Sequence, residues 1–233
     1  MHDLWNNLAQ RASLTLSGDQ LRRLDEYLDR LLDANQRMNL TRITDREAAR
    51  VQHVGDTLTL LPFLPREAHR LADIGSGGGV PGIPLAIARR DVQVVLIEST
   101  RKKAAFLREC AADLELSNVL VRDERAEEAG RSDLRESFDV VTARAVGEMV
   151  WLAEWCLPLV RKGGVMLAMK GQKIHEELPA AARAIRLLGG GQPQIHPVDL
   201  PDTTHHVIVQ IPKQAKTDPR YPRPPTIAKR RPL

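Results

Sequence analysis

The sequence predicts an α/β protein built on a doubly wound, mostly parallel sheet. Three observations carry that expectation. From residue 70 onward, short runs rich in Val, Ile and Leu alternate with segments of helical periodicity. The first of these runs, Leu71 to Ile74, enters a glycine cluster (Gly75, Gly77, Gly78, Gly79) that precedes a helix-like segment. The last two runs have no helix between them, which makes them an antiparallel pair closing a seven-stranded sheet.

Taken in order, residues 17–34 read as an amphipathic helix. Ser17 suits its N-cap, and Leu21, Leu24, Leu28, Leu31 and Leu32 share one face. Asn39-Leu40-Thr41 interrupts the pattern. Asp45 suits the cap of a second helix with Ala48, Val51, Leu58 and Leu61 on its apolar side, and Pro62 and Pro65 end it. No chemistry is expected from this helical segment. The strands are expected at 70–74, 93–98, 118–122, 138–143, 164–169, 194–199 and 205–211. The helices are expected at 80–90, 101–115, 147–161 and 174–188. Pro201-Asp202 suits the turn joining the last two strands, the second of which opens on His205-His206. These boundaries divide the chain into a helical extension (1–66), a sheet domain (67–212) and a C-terminal arm (213–233).

The chain has 233 residues, enough for one sizeable core and an extension. Its apolar runs fall short of a membrane span, and its first ten residues lack the pattern of a signal peptide. Cys110 and Cys156 show neither metal nor redox spacing and read as small buried apolar residues. None of the seven histidines suggests a metal site. His53 falls on the apolar side of a helix, and His205 and His206 would point to opposite faces of a strand. A reducing cytoplasm is the expected compartment. The net charge of +4 is unevenly spread: residues 213–233 hold seven Lys or Arg against Asp218 alone. That is +6 for the arm and −2 for the rest, a distribution that fits either a polyanionic partner or a solvated tail. Asp218-Pro-Arg-Tyr-Pro-Arg-Pro-Pro225 excludes helix and central strand, so the arm is expected to be extended and ordered only where something holds it.

The glycine cluster is a strand–loop–helix cradle, with helix N–H groups aimed back at a ligand. Gly77 to Gly82 spells G-x-G-x-x-G, a weak signal shared with dinucleotide-binding enzymes. Asp73-x-Gly75-x-Gly77-x-Gly79 is more specific. It matches the first motif of class I S-adenosylmethionine methyltransferases, where the carboxylate steadies the loop or reaches the methionine ammonium. Glu98 ends the second strand, placed to accept both ribose hydroxyls of an adenosine, and Ser99 and Thr100 follow at the ligand-binding edge. Asp123-Glu-Arg-Ala-Glu-Glu128 follows the third strand, where Glu127 or Glu124 can reach an adenine amine or simply be solvated.

The fourth strand ends in Thr142-Ala143-Arg144-Ala145. It carries neither the Asn/Asp-Pro-Pro-Tyr/Phe clamp of amino-methylating enzymes nor a cysteine for pyrimidine adducts. Arg144 is a candidate to bind a phosphate, a base edge or the cofactor carboxylate, with an internal ion pair as the alternative. Lys170 ends the fifth strand, positioned to meet a nucleic-acid backbone or water. A nicotinamide oxidoreductase is disfavoured by Asp73. The remaining competitors are a methyltransferase acting on a protein or small molecule, against which the basic arm and the missing amine clamp count, and a non-enzymatic RNA-binding or division-regulating module with a vestigial loop.

The loop Asp73-Ile-Gly-Ser-Gly-Gly-Gly-Val-Pro-Gly-Ile-Pro-Leu85 resembles that of the bacterial small-subunit ribosomal RNA methyltransferases historically called glucose-inhibited division protein B. The resemblance extends to Met38-Asn-Leu-Thr41, His53 with Asp56-Thr57-Leu58, Arg101-Lys-Lys103, Thr142-Ala-Arg-Ala145, Leu167-Ala-Met-Lys-Gly171 and Arg220-Tyr-Pro-Arg223. It implies S-adenosylmethionine-dependent methylation of guanine N7 at position 527 of 16S ribosomal RNA. It further implies cofactor contacts at Gly75, Val80, Glu98, Ser99, Thr100, Ala126, Glu127 and Arg144, added to Asp73, Gly77 and Gly79 of the general motif. Guanine N7 carries a lone pair and no proton, so no general base is expected. The implied partner is the 16S RNA or the small subunit, contacted by Lys170 and by Arg220, Tyr221, Arg223, Arg230 and Arg231. The enzyme is expected to act as a monomer.

Overall fold

The computed structural model describes residues 2–201, 203 and 205–233, apart from the side chain of Lys229. The expected turn at Pro201-Asp202 therefore lies partly outside the described residues. Seven strands form one sheet: β1 (Arg70–Ile74), β2 (Gln93–Ile97), β3 (Val119–Arg122), β4 (Phe138–Arg144), β5 (Val160–Lys170), β6 (Gln194–Pro197) and β7 (Val207–Pro212). Their order is β3-β2-β1-β4-β5-β7-β6. The first five run parallel, and β7 lies antiparallel to both β5 and β6. The winding reverses between β1 and β4, so a ligand crevice is expected outside their carboxyl ends. Both strands are buried on both faces over most of their length, which is why they are mostly apolar, with Asp73, Asp139 and Thr142 as buried polar exceptions.

The helices flank the sheet: α1 (His2–Gln10), α2 (Gly18–Met38), α3 (Arg46–Ala49), α4 (Asp56–Leu58), α5 (Gly82–Ala88), α6 (Arg101–Asp113), α7 (Ala126–Ala129), α8 (Met149–Cys156), α9 (Ile174–Leu187) and α10 (Pro225–Arg230). Ser17 caps α2 in a full capping box with Gln20, as its sequence predicts. Asn39 ends α2 in the left-handed conformation at φ 52°, and Asp45 caps α3. Leu24, Leu28 and Leu31 of α2 share one apolar cluster with Ile83 and Ile87 of α5 and Leu107 of α6. Residues 1–66 are thus continuous with the core on one face of the sheet.

Several expectations need correction. Helix α1 was not anticipated. It is anchored by Trp5, fully buried, whose indole N–H donates to the Arg50 carbonyl at 3.1 Å. The helix expected at 147–161 covers only Met149–Cys156, because Val160-Arg161-Lys162-Gly163 joins β5. The last strand begins at Val207, not His205. His205 takes φ 67°, so the two histidines precede the strand and do not alternate across it.

The arm is held against the body. Arg135 donates to the Tyr221 carbonyl at 2.6 Å and to that of Thr217 at 2.7 Å, and Arg131 donates to that of Pro222 at 2.8 Å. Arg223 is locked to Glu154, itself 1% exposed, by two side-chain bonds of 2.7–2.8 Å and one from its backbone N–H at 2.8 Å. The segment up to Pro224 is non-helical, and the chain then turns into α10. No helix among the described residues is long and apolar enough to cross a membrane.

Candidate active site

Asp73 ends β1 fully buried. Its Oδ2 accepts the Gly82 N–H at 3.1 Å, and its Oδ1 lies 3.4 Å from the Thr142 hydroxyl. The Ser76 hydroxyl donates to the Asp73 carbonyl at 2.9 Å. Burial pushes this carboxyl up to about 7, against the opposing effect of the Gly82 hydrogen bond. Asp73 therefore closes the loop on itself, tying its start to the first turn of α5.

The far side of the loop hangs from β2. Gly75 and Ser76 donate to the Ile97 carbonyl at 2.9 and 3.3 Å. Glu98, 6% exposed, accepts the Gly77 N–H at 2.9 Å through one oxygen and the Thr100 N–H at 2.7 Å through the other. Glu98 thus bridges the glycine loop and the start of α6, while Ser99 and Thr100 stand exposed beside it. Gly77 takes φ 56°, and a Cβ there would meet nothing nearer than 3.7 Å, so the loop presents bare backbone to open space at this point. Gly78 is glycine for another reason: a Cβ would stand 2.6 Å from Leu31 Cδ1 of α2. The hydroxyl of Tyr27, also on α2, donates to the Gly78 carbonyl at 2.9 Å.

After β3, Glu124 is taken up by Arg122 at 2.7 Å. Glu127, on α7 beside Ala126, is 7% exposed and has no hydrogen-bond partner among the described residues. Of the two carboxylates proposed for an adenine amine, Glu127 is the one left available.

A cleft of about 1600 Å³ opens in front of the loop. Gly75 to Gly78 and Val80 form one wall, Asn39 to Thr44 and Gln52 to Asp56 a second, and Met169 to Lys173 with His206 a third. Arg42, Lys103, Arg144, Lys170 and Lys173 line it, against the carboxylates Asp56 and Glu177. It brings Gly75, Gly77, Val80, Arg144 and Lys170 together. Glu98, Ser99, Thr100, Ala126 and Glu127 lie outside its lining, as do Arg220, Tyr221, Arg223, Arg230 and Arg231.

Arg144 owes its place to an irregular helix. Between α3 and α4, residues Arg50–Gly55 are π-helical, and the Asp56 N–H bonds to Val51 and His53 in place of the Gln52 carbonyl that an α-helix would use. The freed Gln52 carbonyl accepts from Arg144 at 2.8 Å. The same guanidinium donates to His53 Nδ1 at 3.0 Å and lies 3.2 Å from Asp56 Oδ2. With Nδ1 accepting, His53 carries its proton on Nε2 and donates to the Thr41 hydroxyl at 2.9 Å. Burial and the neighbouring Arg144 drive His53 down to about 4, so it stays neutral near pH 7. Lys170 pairs with Glu177 at 2.6 Å and donates to the Gly147 carbonyl at 2.8 Å.

The segment 39–56, expected to carry no chemistry, supplies a wall of this cleft. The polar residues His53 and Asp56, buried in this helical segment, were the available signal. No group of three or more His, Cys, Asp or Glu capable of holding a metal occurs among the described residues.

The architecture agrees with solved methyltransferases at the level of fold. A precorrin-6y C5,15-methyltransferase from Geobacter metallireducens GS-15 superposes with a TM-score of 0.52 at 16% identity, covering 74% of this chain and 90% of that one. A ribosomal RNA small subunit methyltransferase G of Sorangium cellulosum is 53% identical over 171 residues, 72% of each chain. Its counterpart in Roseiflexus sp. is 43% identical over 232 residues, 99% of each chain. The family profile described as rRNA small subunit methyltransferase G matches residues 20–206. Sequence, fold and glycine loop converge, and the chain belongs to the rRNA small subunit methyltransferase G family.

Proposed function

We propose that this protein transfers the methyl group of S-adenosylmethionine to N7 of guanine 527 in 16S ribosomal RNA, as the class I fold and the family membership suggest. One observation carries the reading: a single cleft is lined both by the bare backbone of the glycine loop and by five cations spread around it. The loop takes the methionine end of the cofactor, with Gly77 as the point of closest approach. Glu98 has spare lone pairs for the ribose hydroxyls, and Ser99, Thr100, Ala126 and Glu127 surround the adenosine. The residues present fit the cofactor, which supplies a sulfonium-activated methyl group when bound. The cations Arg42, Lys103 and Lys173 favour phosphates at the mouth.

The protein's part in the chemistry is placement. N7 attacks with a lone pair, so no side chain has to remove a proton, and rate comes from holding N7 in line with the methyl carbon. Arg144, fixed by three partners, orders the substrate wall. Lys170 and Arg223, each committed to a carboxylate, act as fasteners in this reading, while Arg220, Tyr221, Arg230 and Arg231 on the arm remain candidates for RNA contact. The division into an extension (1–66), a methyltransferase domain (67–212) and an arm (213–233), action as a monomer and residence in the cytoplasm belong to the same proposal.

The test is incubation of purified protein with labelled S-adenosylmethionine and unmodified small subunits, followed by mapping of 7-methylguanine in the RNA. Label at position 527 is expected. Intact cofactor binding with no label in the RNA would overturn the substrate assignment.

A further inference from the structure

Asp56 is a carboxylate that the fold buries and then leaves half used. Its side chain is 4% exposed, yet it lines the cleft. Among the described residues two groups approach it: Arg144 at 3.2 Å on Oδ2 and His206 Nδ1 at 3.4 Å on Oδ1. No backbone N–H of a described residue reaches it. Two other buried carboxylates, Asp139 and Glu98, are filled more fully. Asp139 accepts two backbone N–H groups at 2.8 Å and Arg161 at 2.6 Å, and Glu98 accepts two backbone N–H groups. An ionised carboxylate has about four acceptor sites, and buried ones are normally filled. Arg144 spends its shorter bonds on Gln52 and His53, leaving Asp56 with long contacts and vacant lone pairs.

We propose that Asp56 accepts the N1–H and N2–H₂ donors of the target guanine and so holds the base by its Watson–Crick edge. The inference rests on the guanine-N7 reading above and deepens it. Among the four RNA bases, guanine alone presents two adjacent donors that match the two oxygens of one carboxylate. Adenine and cytosine place an acceptor at the ring nitrogen, and uracil flanks its single N–H with carbonyls. N7 lies on the opposite edge of the purine, so a base gripped at N1 and N2 turns N7 away from Asp56 and across the cleft. The cleft's other carboxylate, Glu177, is already occupied by Lys170 at 2.6 Å and by the Met149 N–H at 2.8 Å.

The arrangement also favours the reaction itself. Methylation at N7 places positive charge on the purine, which makes N1–H a stronger donor as the N7–C bond forms and the S–C bond breaks. A fixed carboxylate on that edge therefore binds the transition state more tightly than the ground state. Arg144 and His206 flank Asp56 and keep it aimed. His53 braces Arg144 from behind, as a positioning residue.

The experiment compares guanine with inosine, which keeps N7, O6 and N1–H but lacks the N2 amine, at position 527 of reconstituted small subunits. Wild-type kcat/KM is expected to fall about 10- to 100-fold on inosine, the cost of one lost hydrogen bond to a charged group. In Asp56→Asn, activity on guanine falls, S-adenosylhomocysteine binds as before, and the inosine penalty shrinks towards unity. An equal inosine penalty in wild type and variant overturns the role of Asp56. Wild-type protein that methylates inosine as fast as guanine overturns it without any variant. Wild-type protein that binds S-adenosylhomocysteine but labels neither base overturns the guanine-N7 reading on which the proposal rests.

Discussion

Replacing Asp73 by Asn should convert a pH-dependent stability into a flat one. Asp73 is fully buried, and burial raises its carboxyl from an ordinary 3.8 to about 7. The folded state therefore holds a proton that the unfolded chain releases near pH 4. Stability contributed by the neutral carboxyl is intact below that point, declines as pH rises towards 7, and is level above it. At about 1.4 kcal/mol per tenfold change in proton concentration, wild type should lose about 3 kcal/mol from this site between pH 5 and pH 8. Asn keeps an oxygen for the Gly82 N–H and has nothing to ionise. The two proteins should thus be similar below about pH 4, with the variant gaining its advantage from there upward and the more stable at pH 8. Urea melts of cofactor-free protein across that range measure the difference, and groups that titrate elsewhere cancel on subtraction. Parallel curves for the two proteins would show that Asp73 is ionised in the folded state at pH 5, and the burial argument would be wrong.

Three further outcomes follow from single contacts. Tyr27→Phe removes the only side-chain donor to the Gly78 carbonyl among the described residues; it should cost about 1–2 kcal/mol by chemical denaturation and weaken S-adenosylhomocysteine binding by calorimetry. Arg144→Ala strands His53 Nδ1 and the Gln52 carbonyl; it should lower stability by about 2–3 kcal/mol and abolish most methyl transfer, and unchanged turnover would remove Arg144 from the site. Arg223→Ala leaves Glu154 buried with one backbone donor, for which about 3–5 kcal/mol is the ceiling, since the arm can lift away. Trypsin should then cut the freed arm early, and RNA affinity that fell with no change in proteolysis would mean that Arg223 contacts RNA directly.

The sheet and the glycine loop were legible because their signals are local. Strands buried on both faces read as Val, Ile and Leu runs, and Asp73 with alternating glycines sits within a dozen residues of the Gly82 N–H and the Ser76 hydroxyl that tie the loop together. The place of Glu98 at the end of the second strand was legible too, but its bonds to the Gly77 and Thr100 N–H groups were not. What holds the arm was not legible, for the opposite reason. Lys and Arg look the same in sequence whether they face water or donate to buried acceptors. The partners that hold the arm (Arg131, Arg135 and Glu154) lie some 70 to 90 positions away. The second wall of the cleft escaped notice because a π-helical turn leaves no mark in apolar periodicity. Val51 and Val54 satisfy an ordinary helix, and only the coordinates reveal that the Gln52 carbonyl has been released to Arg144.

Helix α2 ties the two sides of the cleft to each other. At its middle, Leu31 packs under Gly78 and Tyr27 bonds the same residue's carbonyl, fixing the glycine loop from below. Near its end, Asn35 Oδ1 accepts the Thr41 N–H at 2.8 Å, and Thr41 in turn receives His53, which braces Arg144. One rigid element of 21 residues thus spans from the loop to the wall that faces it. Methyl transfer depends on the distance and angle between donor and acceptor, and a misplacement on the order of 1 Å costs about 100-fold in rate. The Rossmann-like sheet carries the glycine loop on one side and contributes Arg144 to the other. On the reading proposed above, the helical extension sets the other side, so the spacing between cofactor and base is built into α2 and its cap at Asn39. This gives residues 1–66 a physical role that the amphipathic pattern alone did not suggest.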